Sequence, residues 1–103
     1  MRFIKNPYAG ENAEENRDKI IFSLIERRAI PGIYVITFPL GEGNLLDICP
    51  SGMLFQQHFQ MEDITACGIA KGRDEAVRLA ERIIMDCYNA TGGFDVQSFL
   101  EDE

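Results

Sequence analysis

Only one residue of the chain is histidine (His58) and only three are cysteine (Cys49, Cys67 and Cys87), and both shortages close off chemistry. The cysteines stand far apart with no CxxC pair, which excludes a zinc knuckle and a thioredoxin-type redox motif. Any reaction that needs an imidazole must use His58, with Cys49 or Cys67 as its thiol partner across a sheet. The spacing gives such a pair no support, and a histidine on a polar strand face accounts for His58. Positive charge is also scarce. Ten Lys and Arg stand against 17 Asp and Glu, for a net charge of −7. A polyanion partner needs a basic face, so no nucleic-acid partner and no anionic membrane surface is expected. No apolar run approaches the roughly 20 residues of a membrane span. The segment Met1–Tyr8 lacks the apolar stretch of a secretory signal, so the expected compartment is the cytoplasm, with the thiols reduced.

What is present reads as a globular core. Apolar residues make up 46% of the chain and charged residues 26%, enough to fold residues 1–103 as one α+β domain without a metal or disulfide. The most organised stretch is 64–93. A strand over 64–70 runs through Lys71-Gly72-Arg73 into a helix closed by Gly92-Gly93. Its apolar stripe is Ala76, Val77, Ala80, Ile83, Ile84, Cys87 and Tyr88, a helical repeat that must lie on a core.

Earlier in the chain, residues 1–10 read as an arm or a short packing strand. Asn12 followed by Glu15 resembles a capping box and predicts a helix over 12–28, with Ala13, Arg17, Ile20, Ile21, Leu24 and Ile25 on one face and Pro31-Gly32 as its stop. The period then changes to two. Strands are predicted over 32–38, 45–49, 53–59 and 64–70, joined by turns at 41–44, Pro50-Ser51-Gly52 and 61–63. Asp47, flanked by Leu46 and Ile48, reads as an outward residue on a half-exposed strand. Short connections permit only antiparallel neighbours. The expected fold is a two-layer α+β domain, a four-stranded antiparallel meander with an N-terminal and a C-terminal helix on one face, in the order α-β-β-β-β-α.

The stretch Gly68–Ala80 resembles the last strand and helix of the double-stranded-RNA-binding domain, whose helix opens with basic residues after a glycine. The resemblance implies an α-β-β-β-α fold and duplex RNA as a ligand. The chain departs from that family at the points that hold RNA. Lys71 and Arg73 stand beside Asp74-Glu75, and Gly41-Glu-Gly-Asn44 lacks the family's Gly-Pro-x-His turn, so phosphate contact is lost. As a whole, the sequence resembles small single-domain bacterial proteins that carry no assigned activity.

Two candidate surfaces remain. Lys71, Gly72 and Arg73 stand at a helix start, where free N–H groups favour an anion, although the spacing matches neither GxGxxG nor a P-loop. A ligand pocket between sheet and helices would extend that site. The second surface is apolar. Phe38, Phe55, Phe59, Tyr34 and Met53 exceed what one sheet face needs, and Phe94, Phe99 and Leu100 are too apolar for a free tail. Phe55, Phe59, Phe94, Phe99 and Leu100 are therefore the expected interface residues of a homodimer. The expected protein is a non-enzymatic binding or assembly domain with no catalytic residue, no metal and no cofactor.

Overall fold

The computed structural model describes residues 1–56 and 64–101. Four strands and four helices follow one another as β1 (Arg2–Ala9), α1 (Arg17–Ile25), β2 (Ile33–Thr37), β3 (Asp47–Pro50), α2 (Ser51–Gln56), β4 (Thr65–Lys71), α3 (Arg73–Thr91) and α4 (Val96–Glu101), with a 3-10 turn at Glu14–Asn16. The domain is thus mixed α+β with a four-stranded sheet, as the alternating periods predict. The sheet is not a meander. Its order is β1-β4-β2-β3, with β1 parallel to β4 and both other pairings antiparallel.

This order explains why the chain at 51–56 is helical rather than extended. β3 and β4 flank β2 on opposite sides and are both antiparallel to it, so they run parallel and need a crossover rather than a tight turn. Met53, Leu54 and Phe55 are all apolar, so alternation does not distinguish strand from helix there. Burial does: Ser51 and Leu54, three residues apart, are enclosed, while Met53 between them is half exposed. The predicted turn at Pro50-Ser51-Gly52 is instead the start of α2. The Ser51 hydroxyl accepts the Ile30 N–H at 3.0 Å and donates to the Ile30 carbonyl at 2.9 Å, clamping the loop after α1 onto it. The remainder of the predicted strand 53–59, with His58 and Phe59, lies outside the described residues.

The two-layer expectation is also corrected. Alternation along β2 sends Ile33 and Val35 to one face and Ile36 to the other, and each face carries its own core. Val35, Ala66 and Ile69 pack with Ile20 and Leu24 of α1 and Leu54 of α2. On the opposite face Ile4, Ile36 and Cys67 pack with Leu79, Ile83 and Cys87 of α3 and Leu100 of α4. Helices therefore cover both faces, which is what the unbroken apolar runs of β2 and β4 require.

Helix boundaries follow backbone chemistry more than the predicted punctuation. α1 does not run over 12–28. It starts after the 3-10 turn and ends in a Schellman motif, in which Arg27 takes a left-handed φ of 60°. Its N–H reaches the Leu24 carbonyl at 2.9 Å and the Arg28 N–H reaches that of Ser23 at 2.9 Å, before Pro31-Gly32 is met. Ile25, expected on the packed face, is left exposed. α3 ends where predicted, on Gly92 with a left-handed φ of 76°. Its packed stripe is rotated toward Leu79 and Glu75, leaving Tyr88 on the surface. Asp95 caps α4, accepting the Ser98 N–H at 3.2 Å.

Two irregularities shape the sheet. Opposite β2, Ile36 pairs with Gly68 and Thr37 with Ala66, so Cys67 is an extra residue in β4 and bulges. Against β1, Phe3 pairs with Ala66 and Tyr8 with Gly68, so residues 4–7 of β1 face a single residue of β4 and bow outward. Beside the bulge, the Thr37 hydroxyl is fully buried and finds no hydrogen-bond partner among the described residues. Thr37→Val keeps the shape and removes the unpaired oxygen, so it is expected to leave thermal stability unchanged or raise it by up to ~1 kcal/mol. A clear loss in the melting temperature would show that the hydroxyl has a partner in solution.

Candidate functional site

The residues singled out at the start of α3 lie together, and the N–H groups of Lys71 and Gly72 are bonded within the protein. Gly72 is the N-cap, with φ 88°, and its N–H bonds the Gly32 carbonyl at 2.7 Å. The helix's own Glu75, in the third position, folds back over this end. Its carboxylate accepts the Lys71 N–H at 2.6 Å, the Asn12 N–H at 2.8 Å and the Asn12 side-chain amide at 2.7 Å. Asn12 is thereby taken from the capping role the sequence predicts for it. Burial raises the pKa of Glu75, but the bonds from Lys71 and Asn12 and the charge of Arg78 outweigh it, and the net shift is downward. The Glu75 carboxylate is thus held beside the turn by Lys71 and Asn12, while Lys71 and Arg73 are exposed residues.

Gly10 completes this junction. Its N–H bonds the Ile69 carbonyl at 2.9 Å, and its carbonyl accepts the Ala13 and Glu14 N–H groups, both at 3.0 Å. A Cβ there would overlap the Glu75 carboxylate, lying 2.6 Å from its Cδ. Gly10, Asn12 and Glu75 therefore tie β1, the 3-10 turn and α3 into one corner.

Beside that corner the bowed part of β1 opens a cleft of about 800 Å³, walled by segment 6–9 with Glu11, Glu14, Arg17 and Arg82. Arg17 donates to the Pro7 carbonyl at 3.4 Å. The Arg82 guanidinium lies 5.6 Å from the centre of the Tyr8 ring and has no ion pair among the described residues. Tyr8 in turn donates to Asp86 at 2.9 Å, which fixes the ring. A smaller hollow of about 140 Å³ adjoins Gly10 and Arg78 and shares Glu11 and Arg82 with the cleft. The sequence offers no signal for this place, because Arg17 reads as part of the packed face of α1 and Arg82 as a solvated helix residue until β1 is set beside β4.

Cys49 and Cys67 lie on opposite faces of the sheet. Cys49 pairs with Val35 and packs on the α1 side, whereas Cys67 belongs to the α3 side. Burial pushes the Cys67 thiol up to about 12, and its Sγ donates to the Ile36 carbonyl at 3.5 Å. Burial, with the nearby Asp47, also raises Cys49. Asp47 accepts the Leu40 N–H at 2.6 Å and the Asn44 amide at 3.0 Å, so it organises the loop before β3 rather than simply facing water. Among the described residues no cluster of His, Cys, Asp and Glu is arranged to hold a metal ion, and no helix is long and apolar enough to cross a membrane.

Of the expected interface residues, Leu100 is 2% exposed and belongs to the α3-side core. Phe99 and Phe55 are half-buried against the two cores. Phe94 is 52% exposed and stacks on Tyr88, with ring centroids 5.2 Å apart and planes 21° apart. Met85, one turn before Tyr88, is likewise half exposed, so the three side chains form one apolar patch.

These features define a small mixed α+β protein with helices on both sheet faces, a polar cleft at one sheet edge and an apolar patch on α3. Comparison with protein-family models, curated proteins and solved structures finds no significant match to the chain.

Proposed function

We propose that the chain is a non-enzymatic assembly domain that pairs with a second copy of itself through the C-terminal half of α3 and the segment that follows it. The observation that carries the reading is the stacked Tyr88–Phe94 pair beside Met85, three large apolar side chains half in water. Their geometry is already fixed, so covering them costs little side-chain entropy. The sheet face, the other expected contact, is occupied by the chain's own helices. The raised pKa of the buried Cys67 thiol supports a role without thiolate chemistry at that residue.

Sedimentation velocity tests this. At about 100 µM, where even a dimer with Kd ~10 µM is mostly assembled, the wild type is expected to sediment as a dimer and Phe94→Asp as a monomer. Phe22→Asp, at an exposed site on the opposite layer, is expected to remain a dimer. A monomeric wild type sinks the proposal, as does a dimer that Phe22→Asp disrupts and Phe94→Asp does not.

A further inference from the structure

The cleft at the β1 edge has a composition that the assembly reading does not use. Three of the ten Lys and Arg of an acidic chain, Arg17, Arg78 and Arg82, gather around it and the adjoining hollow. Arg78 is engaged by the charge of buried Glu75. Arg17 spends one N–H on the Pro7 carbonyl and lies 3.8 Å from the Asp18 carboxylate, and Arg82 rests on a ring that Asp86 holds in place. A guanidinium is suited to a carboxylate, which it can hold by two parallel bonds. The same cleft carries Glu11 and Glu14, both exposed at its wall. In a chain of net charge −7 they disfavour a dianion such as phosphate, while the arginines disfavour a plain cation. Charges of both signs in one cleft match a ligand that carries both signs itself.

We infer that this cleft binds a small zwitterion of amino-acid or short-peptide type, its carboxylate against Arg17 and Arg82 and its ammonium toward Glu11 and Glu14. The volume of about 800 Å³ holds more than one amino acid, which favours a di- or tripeptide. A longer strand added along β1 is disfavoured, because Pro7 has no N–H to offer and Arg17 already covers its carbonyl. Recognition then rests on the two ends of the ligand rather than on a backbone ladder.

The test is an amide NMR titration of the full chain with Ala-Ala, with its N-acetylated and C-amidated forms, and with inorganic phosphate. Free Ala-Ala is expected to shift the Asn6, Tyr8 and Glu11 amides saturably, and each blocked form to bind at least about tenfold more weakly. Arg82→Gln and Glu14→Gln, both at exposed sites, are expected to keep the folded spectrum and weaken free Ala-Ala by a similar factor. No saturable shift up to about 10 mM overturns the proposal. So does acetylated peptide binding as well as free peptide, or phosphate binding more tightly than either. The sedimentation result is independent of all these outcomes.

Discussion

Glu75→Gln is expected to destabilise the protein by about 2–3 kcal/mol, a drop of roughly 10–15 °C in the melting temperature of a domain this size. The substitution preserves shape, so packing is not the cause. One carboxylate oxygen takes two donors from Asn12 and the other takes the Lys71 N–H. An amide keeps one of those acceptors, turns its NH2 toward a donor on the other side, and loses the charge that strengthens all three bonds. The sign of the pH dependence follows from the lowered pKa. A carboxylate held below its unfolded value of about 4.3 contributes stability that is fully present above that pH and is lost as pH falls through the folded value. The gap between wild type and Glu75→Gln should therefore be constant from neutral pH down to about 5 and shrink below about 4, where wild-type Glu75 takes up a proton too. Urea midpoints measured across this range decide it. A gap that stays unchanged down to pH ~3 would mean that the ionised carboxylate is not what holds the corner.

Gly10→Ala is expected to cost about 2–3 kcal/mol by overpacking the same corner. Nothing about the backbone conformation demands glycine there; the constraint is space. Gly10 cannot retreat, since its N–H is fixed to β4 and its carbonyl to the turn that leads into α1. Glu75 cannot retreat without abandoning three donors. The two costs are therefore one conflict, and a double-mutant cycle should expose it. In a Glu75→Ala background the clash is gone, and adding Gly10→Ala should cost less than about 0.5 kcal/mol. Additive losses would show that a Cβ at position 10 disturbs something other than the carboxylate.

The same corner shows how far the residues could be read alone. Asn12 and Glu15 look like a capping box because the motif is local, but Asn12 turns to Glu75, a partner no local pattern reveals. The Lys71-Gly72-Arg73 turn was legible as a helix start. That Glu75 folds back and occupies the end depends on β1 lying beside β4. The cleft was not legible at all, because it exists only where four residues of β1 bow away from one residue of β4.

Periodicity by itself determined α3, β2 and β4. Each of these is long enough or polar enough at its ends for local physics to decide. Tertiary structure decided the rest. Apolar residues on both sides of a short segment fit a strand or a buried helix equally well, and only the need to carry the chain from β3 across β2 to β4 made 51–56 helical. The stripe of α3 is wider than its contact, so the packing chose Leu79 for the core and left Tyr88 outside. Sequence sets which residues are able to be buried. Strand order sets which of them are, and so which apolar and charged groups remain at the surface to meet a partner.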